Sequence, residues 1–137
     1  MSDPVTIDAS VFVNAFSSTK EGSDQSWDYI TNLKENAVQI IVPTLLLTEV
    51  AASIARKQNN TALALQLMAE IQAIPTITFI NLDESLAEAS AEIAATYRLR
   101  GSDAVYAAVA TRFATSLVTL DSEQLQHVKK VAKVRKP

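Results

Sequence analysis

The 137-residue sequence contains no cysteine. Disulfide bonds, thiolate metal sites and a cysteine nucleophile are therefore excluded within the chain, and the composition fits a reducing compartment. His127 is the only histidine, so acid–base catalysis by two histidines of one chain is excluded as well. Its position before Val128 and two lysines favours a surface residue. Ser10 has no histidine base in any local motif, so nothing favours a serine hydrolase.

Glycine and proline are scarce, with two and four residues respectively. We therefore expect short loops and a large helical content. Because Gly22 and Gly101 are the only glycines, the chain cannot form a glycine-rich phosphate-binding loop. A hydrophobic content of 48% against 20% charged residues is typical of a globular protein. We expect one domain over residues 1–137.

Neither a membrane span nor a signal peptide is predicted. The most apolar window, residues 38–55, contains Gln39, Pro43 and Glu49, which argues against a bilayer-spanning helix. Residues 1–4 carry no basic region of the kind that opens a signal peptide. These two observations predict a cytoplasmic protein.

The net charge of −3 is mild, but its distribution is uneven. Five of the twelve basic residues lie in the last nine positions, namely Lys129, Lys130, Lys133, Arg135 and Lys136, so residues 1–128 hold seven basic against fifteen acidic residues. A basic tail on an acidic body could approach a polyanion from one side. The simpler interpretation is an edge strand over residues 128–134 that lysines keep soluble.

Short β-branched runs alternate with helical segments along the chain. Strands are predicted over residues 5–7, 38–42, 76–80 and 117–120, with 128–134 as a weaker fifth. Two helices are predicted over residues 26–36 and 44–57, and the second should be buried on nearly all sides. Three more are predicted: one begins after a cap at Asn60, one runs from Asp83 to a stop at Gly101, and one begins after a cap at Ser102. This alternation predicts an α/β fold with a mainly parallel sheet of about five strands and helices on both faces.

Four acidic residues adjoin or interrupt apolar stretches. Asp8 and Asp121 each end a predicted strand, Asp103 opens the apolar helix over residues 104–110, and Glu49 lies within an apolar helix. Charges in such places are usually paired or bound to a metal. The sequence shows no obvious basic partner next to any of the four. Since ligands of parallel sheets gather beyond the carboxyl ends of the strands, we predict that the four acids share a divalent cation. Carboxylate ligands suit Mg²⁺ or Mn²⁺.

A purely structural interpretation competes for three of these acids. Taken singly, Asp8 and Asp121 are better explained as helix caps, and Asp103 as a complement to a helix dipole. Glu49 is different because caps do not lie in the middle of a helix. The four acids together are more informative than each one alone. Two carboxylates ~4 Å apart repel by about 1 kcal/mol in water and about 4 kcal/mol at an effective dielectric of 20. Several carboxylates in one crevice would therefore destabilise the protein unless protons or a cation compensate their charge.

In this order, the residues resemble a PIN domain, and within that family the VapC-type toxins of bacterial toxin–antitoxin pairs. The resemblance covers almost the whole chain. It is carried by Val5-Thr6-Ile7-Asp8-Ala9-Ser10-Val11-Phe12-Val13-Asn14, by Leu47-Thr48-Glu49-Val50, by Arg100-Gly101-Ser102-Asp103-Ala104-Val105-Tyr106-Ala107-Ala108, and by Leu117-Val118-Thr119-Leu120-Asp121. All four acids match the family's motifs.

The resemblance implies a three-layer PIN-like fold and a metal-dependent endoribonuclease. Asp8, Glu49, Asp103 and Asp121 would be the catalytic residues and would hold one or two Mg²⁺ or Mn²⁺ ions. Water would attack phosphorus, leaving a 5′-phosphate and a 3′-hydroxyl.

The resemblance also implies roles around the acids and two protein partners. Ser10 and Thr119 would orient carboxylates or water, and Glu123 could join the outer shell. Asn14 could donate to the scissile phosphate, although a solvent-facing helix residue explains it equally well. The partners would be a second copy of the chain, in a homodimer with apolar surface from residues 26–36 and 44–74, and a cognate antitoxin that blocks the crevice.

Three other classes of protein compete with this interpretation. A metal-dependent adhesion module requires a second hydroxyl two residues after Ser10, where this chain has Phe12. A response-regulator receiver requires an acid pair at the first strand, and Asp8 stands alone. The serious rival is a PIN-like module that binds RNA or a protein without cutting. Against it, we expect Asp103→Asn to abolish RNA cleavage while leaving the fold intact or more stable without metal.

Overall fold

The computed structural model describes residues 2–17 and 21–137. Within them lie five strands, β1 (Val5–Ile7), β2 (Ile40–Pro43), β3 (Ile77–Ile80), β4 (Ser116–Val118) and β5 (Val134–Arg135). The same residues form seven α-helices, α1 (Ala9–Ala15), α2 (Ser23–Glu35), α3 (Leu45–Gln58), α4 (Thr61–Gln72), α5 (Glu84–Tyr97), α6 (Gly101–Phe113) and α7 (Ser122–His127). No helix in this described part is both long and apolar enough to cross a bilayer.

The strands form one parallel sheet in the order β3-β2-β1-β4-β5. The predicted α/β fold with a five-stranded parallel sheet is therefore confirmed. The chain winds from β1 outward to β3 and then returns across the sheet to β4 and β5. Because crossovers between parallel strands are right-handed, this reversal places α1–α4 on one face and α5 and α6 on the other. The reversal falls between β1 and β4, where such sheets form their crevice.

Side-chain caps fix the starts of four helices. Asp8, Asn60, Asp83 and Asp121 stand immediately before α1, α4, α5 and α7, and each accepts a hydrogen bond from a backbone N–H of its helix. Such a bond satisfies a donor that the first turn leaves without a partner. The cap interpretation of Asp8 and Asp121 is thus confirmed, although a cap can also carry a functional carboxylate.

Four sequence-based predictions of local structure were wrong. Helix α5 ends at Arg98, which adopts the left-handed conformation with φ 55°, and not at Gly101. Gly101 is instead the first residue of α6, which begins after Arg100 and not after a cap at Ser102. Residues 128–130 form a 3₁₀ turn in which Val128 is completely buried, so that Val134 is the only residue of the predicted strand 128–134 that lies in a strand, the edge strand β5. Helix α3 is not buried all round, since it buries only the stripe Leu46, Val50 and Ile54.

Helix α6 contributes to two hydrophobic clusters, the main core around β1 and a smaller one in which Ala108 and Val109 pack with Leu86 of α5. Every residue of α6 from Asp103 to Ala110 is buried, and this helix packs against β1, β2, β4 and α5. Its many alanines allow close approach to the sheet, and Tyr106 is the largest fully buried side chain of the described residues. The burial of α6 carries Asp103 and the Tyr106 hydroxyl toward the crevice.

Candidate metal centre

The four predicted acids come from four separate elements and converge in one crevice. Asp8 follows β1 and Asp121 follows the neighbouring β4, while α3 contributes Glu49 and α6 contributes Asp103. The crevice has a volume of about 310 Å³, and its lining includes all four acids together with Ser10, Ser53, Lys57, Arg100 and Gln124. The structure therefore brings together the residues that the sequence singled out.

Asp8 is buried, and its carboxylate is held from one side. Its Oδ2 atom accepts hydrogen bonds from Ser10 Oγ at 2.6 Å, Thr119 Oγ1 at 2.8 Å and the Ser10 backbone N–H at 3.3 Å. The two hydroxyl oxygens in turn accept the backbone N–H groups of Leu120 and Asp121. Within the described residues every hydrogen bond of this carboxylate uses Oδ2, so Oδ1 keeps its lone pairs for a ligand. Ser10 and Thr119 thus lie where they orient Asp8.

Glu49 lies half-buried on α3, and its Oε1 atom accepts a 2.6 Å hydrogen bond from the Tyr106 hydroxyl. Burial raises the pKa of Glu49, the bond from Tyr106 lowers it, and repulsion by Asp8 and Asp103 raises it further, so that the net pKa lies above the ordinary 4.5. Both burial and neighbouring negative charge therefore oppose the ionised form of Glu49. A cation in the crevice would relieve this cost.

Asp103 and Asp121 share a basic partner, Arg100, which sequence reasoning missed. The Arg100 guanidinium donates from Nε to Asp103 Oδ2 at 2.7 Å and from Nη2 to Asp121 Oδ2 at 2.8 Å, and Nε also lies 2.7 Å from Glu123 Oε2. The prediction that no basic residue neighbours the acids was therefore wrong. Arg100 was assigned to the end of the preceding helix, whereas its spacing of three residues before Asp103, at the start of α6, was the available signal.

These contacts shift the pKa values of two groups. Burial raises the pKa of Asp121, but hydrogen bonds from Arg100 and from the backbone N–H groups of Gln124 and Glu123 lower it by more, and the net pKa lies below its ordinary value. The hydrogen bonds to Asp103 and Asp121 raise the pKa of Arg100. Arg100 and Asp121 thus each favour the charged form of the other.

Gln124 is a second residue that sequence reasoning missed. Its side chain is buried, and Nε2 donates to Asp103 Oδ1 at 2.8 Å. Its Oε1 atom is buried and has no hydrogen-bond partner among the residues that the structure describes. A buried amide oxygen left without a donor costs free energy, and it is also an oxygen donor of the type that hard cations accept.

Asn14 lies elsewhere. It is buried rather than facing solvent, because its Nδ2 atom donates to the Glu21 carbonyl at 3.1 Å and its Oδ1 atom accepts from Ser26 Oγ at 2.8 Å. These bonds connect α1 to the start of α2. Within the described residues Asn14 has no contact with the four acids, and its role as a phosphate donor stays a prediction without support from a contact.

The chemistry of the donor set fits a hard divalent cation, but the side chains do not form a ready coordination sphere. Among residues 2–17 and 21–137, no three His, Cys, Asp or Glu side chains are arranged to hold a metal ion. The hydrogen bonds already described give the reason: Arg100 lies between two of the carboxylates and Tyr106 holds a third. Oxygen donors and the repulsion felt by Glu49 nevertheless match Mg²⁺ or Mn²⁺.

A second groove continues from the crevice along α3. It has a volume of about 470 Å³ and is lined by Glu49, Ala52, Ser53, Arg56 and Lys57. Glu49, Ser53 and Lys57 line both cavities. An acidic centre is thus joined to a groove that carries two cations, Arg56 and Lys57, an arrangement suited to a polyanion held beside a metal.

Comparison with solved structures gives several matches over nearly the whole chain. VapBC2 from Rickettsia felis, determined with a DNA fragment of its promoter, matches with a TM-score of 0.73 and 12% identity over 98% of both chains. A toxin–antitoxin complex from Klebsiella pneumoniae matches with a TM-score of 0.65 and 21% identity over 97% of both chains. VapC20 from Mycobacterium tuberculosis, described as a toxin that cleaves the sarcin–ricin loop, matches with 0.73 and 13% identity over 88% of this chain and 92% of that one.

At identities this low, these matches show that the folds are similar and nothing more. No curated protein matches the sequence. The family model of the PIN domain matches residues 5–131, a range that contains all four acids of the crevice and Arg100. The chain belongs to the PIN domain family.

Proposed function

We propose that this protein is a metal-dependent endoribonuclease that hydrolyses RNA phosphodiester bonds. The observation that carries the proposal is the convergence of Asp8, Glu49, Asp103 and Asp121 in one crevice at the point where the sheet reverses its winding. Structural roles alone do not explain this convergence, because Glu49 caps no helix and its pKa is raised where it stands. Membership of the PIN domain family supports the same proposal.

The four acids would hold one or two Mg²⁺ or Mn²⁺ ions. A divalent cation at such a site neutralises charge on the phosphate and lowers the pKa of water. Asp8 would offer Oδ1, the oxygen that its three hydrogen bonds leave available. Glu49 would offer the oxygen that Tyr106 does not hold.

The chain's own residues position the carboxylates and the RNA. Ser10 and Thr119 fix the orientation of Asp8, and Tyr106 fixes that of Glu49. Fixed ligands cost less to order when a cation binds. Arg56 and Lys57 line the groove along α3, where they would attract the RNA backbone.

We propose further that the protein is the cytoplasmic toxin of a toxin–antitoxin pair and forms a homodimer. The solved structures of similar fold that are described as toxin–antitoxin complexes support an antitoxin partner. Apolar side chains of the helices expected to form the dimer are exposed, with Trp27 at 50% and Leu65 at 54%.

The test is cleavage of purified total RNA with Mg²⁺ or Mn²⁺ and with EDTA. We expect cleavage only with metal, and its loss in Glu49→Gln and in the double variant Asp8→Asn/Asp103→Asn. Glu92→Gln is the matched control, because Glu92 is exposed on α5 away from the crevice. Since Gln can still accept the Tyr106 hydrogen bond, loss of cleavage in Glu49→Gln would reflect the carboxylate and not the fold.

Two results would contradict the proposal. Cleavage that persists in EDTA or in the double variant would remove the metal mechanism. Metal-dependent RNA binding without cleavage of any RNA would favour the rival, a PIN-like module that binds RNA or protein without cutting it.

A further inference from the structure

Arg100 makes the densest set of ionic contacts in the described part of the chain. One guanidinium contacts three carboxylates, those of Asp103, Asp121 and Glu123, at 2.7–2.8 Å. Two of the three are proposed cation ligands. The Asp103 side chain is 5% exposed, whereas that of Arg100 is 50% exposed. A half-exposed cation therefore neutralises a buried anion.

The oxygens that Arg100 occupies are the ones a divalent cation needs. Asp103 Oδ1 already accepts from Gln124, and Asp121 Oδ1 already accepts the backbone N–H groups of Glu123 and Gln124. Both Oδ2 atoms are bound by Arg100, whose guanidinium therefore lies against the two carboxylates at 2.7–2.8 Å. A divalent cation shared by Asp103 and Asp121 through these atoms would stand close to the guanidinium and be repelled by it, so its binding favours release of Arg100.

A displaced Arg100 would still lie at the crevice. It is the residue immediately before α6, its backbone is fixed by the helix start, and it lines the crevice together with Lys57. A guanidinium matches the geometry of a phosphate better than an ammonium does, because it donates two parallel hydrogen bonds. Its length and exposure allow it to turn from the carboxylates toward a phosphate without a change in the backbone.

We propose that Arg100 is an exchangeable counter-cation: it holds Asp103 and Asp121 together when no divalent cation is bound, and when one binds it is displaced and contacts a phosphate of the RNA. This inference rests on the proposed metal-dependent function. Arg100 is accordingly a positioning residue in the metal-free protein and a substrate contact in the loaded one.

The first test measures the affinity for Mn²⁺ of the intact chain by electron paramagnetic resonance of the free ion. We expect Arg100→Gln to bind Mn²⁺ about tenfold more tightly than the unaltered protein, the factor that one charge-assisted hydrogen bond is worth. Arg56→Gln is the matched control, since it removes a positive charge from the adjoining groove but has no contact with Asp103 or Asp121. Equal tightening in the two variants would indicate general electrostatics and overturn the proposal.

The second test compares thermal unfolding in EDTA and in saturating Mn²⁺. In EDTA, Arg100→Gln leaves buried Asp103 without its cation, and we expect a melting temperature lower by about 3–6 °C. In Mn²⁺ the divalent cation replaces the guanidinium, so the deficit should disappear. A deficit of the same size in Mn²⁺ would mean that Arg100 stays on the carboxylates, which contradicts displacement. Arg100→Lys, which keeps the charge, provides the comparison if Arg100→Gln does not fold.

The third test concerns the phosphate contact and uses a fluorescein-labelled single-stranded RNA oligonucleotide with Ca²⁺ in place of Mn²⁺. We expect Ca²⁺ to tighten binding of this RNA to the unaltered protein, and to tighten it about tenfold less in Arg100→Gln. If Ca²⁺ tightens RNA binding equally in Arg100→Gln and in the unaltered protein, the contact between Arg100 and RNA is refuted.

The first test also separates this inference from the proposed function. If neither the unaltered protein nor Arg100→Gln binds Mn²⁺, the proposed function itself fails. If the two proteins bind Mn²⁺ with equal affinity, only the role of Arg100 fails.

Discussion

Among the four acids, Glu49 and Asp103 meet opposite environments. Glu49 has a neutral hydroxyl for a partner and two negative neighbours, so that burial and repulsion raise its pKa. Asp103 is more deeply buried but accepts hydrogen bonds from cationic Arg100 and from Gln124. The sequence-based expectation that Asp103→Asn leaves the metal-free fold intact or more stable assumed an unpaired carboxylate. The ion pair reverses that expectation.

We therefore predict opposite effects of two isosteric substitutions on the metal-free protein at pH 7. Glu49→Gln should raise the melting temperature, since it removes a disfavoured charge and keeps the Tyr106 hydrogen bond. Asp103→Asn should lower the free energy of unfolding by about 1–3 kcal/mol, because a neutral amide loses the ion pair with Arg100. Denaturation in EDTA, followed by circular dichroism, measures both. Equal signs for the two variants would show that the charges of the crevice are wrongly assigned.

The effect of Glu49→Gln should depend on pH. The folded-state pKa of Glu49 lies above its unfolded-state value near 4.5, so folding favours the protonated form. Its contribution to stability is fully present below pH 4.5 and is lost as the pH rises through the folded-state pKa. The advantage of Glu49→Gln over the unaltered protein should thus vanish below pH 4.5 and become constant once the pH exceeds the folded-state pKa of Glu49. An advantage that instead grows toward low pH would contradict the assigned shift.

At the level of single residues, the sequence indicated the acids and the hydroxyl groups but not their partners. Asp8, Glu49, Asp103 and Asp121 were visible because charge next to apolar sequence is unusual. Ser10 and Thr119 were found through the family resemblance, and the structure places both against Asp8. Gln124 was invisible because a glutamine in a short helix is ordinary. Its contact with Asp103 arises only when α7 packs beside α6.

Among the secondary-structure elements, the ends of helices were hard to predict because the usual glycine is missing there. Four non-glycine residues adopt positive φ in the described chain, namely Ala37, Asn59, Arg98 and Ala114. Three of these follow helices directly as C-caps. A left-handed conformation costs a non-glycine residue roughly 1–2 kcal/mol. With only two glycines in the sequence, helices must end without the residue that marks such ends, and for this reason the end of α5 was predicted wrongly.

Ala114→Gly should accordingly stabilise the protein. Ala114 is exposed and has φ 54° at the end of α6, so glycine should relieve strain and raise the free energy of unfolding by about 0.5–1 kcal/mol after its own entropic cost. Ala87→Gly is the control: Ala87 is exposed inside α5, where glycine should cost about 1 kcal/mol. Urea denaturation measures both changes. Destabilisation by Ala114→Gly would mean that the left-handed cap is not strained.

For the whole molecule, the strand order decides where the acids meet. Asp8 and Asp121 are 113 positions apart in the sequence but follow adjacent strands, because the chain returns across the sheet after β3. The crevice lies where the winding of the chain reverses, between β1 and β4. Helices α3 and α6 bring Glu49 and Asp103 to this crevice from opposite faces of the sheet. The alternation of strands and helices predicted a parallel sheet, but not by itself the neighbours of each strand.

The proposed homodimer gives a prediction at this scale. Leu65 on α4 is 54% exposed, so Leu65→Lys should leave the fold unchanged and weaken a dimer formed by the expected helices. Leu82→Lys is the matched control, because Leu82 is 44% exposed but lies between β3 and α5. Size-exclusion chromatography with light scattering should give twice the mass of the single chain for the unaltered protein and for Leu82→Lys, and a lower mass for Leu65→Lys. A monomeric unaltered protein would end the dimer proposal.

The sequence by itself determined the class of fold, the four acids and the class of ion that their oxygens suit, because these depend on local patterning and on the identity of functional groups. Only the tertiary structure decided that Arg100 neutralises Asp103 and Asp121, that Gln124 also binds Asp103 while Tyr106 binds Glu49, and that Asn14 connects two helices. Partners of this kind are set by which helix packs beside which strand. Their contacts join residues far apart in sequence, so no local pattern encodes them.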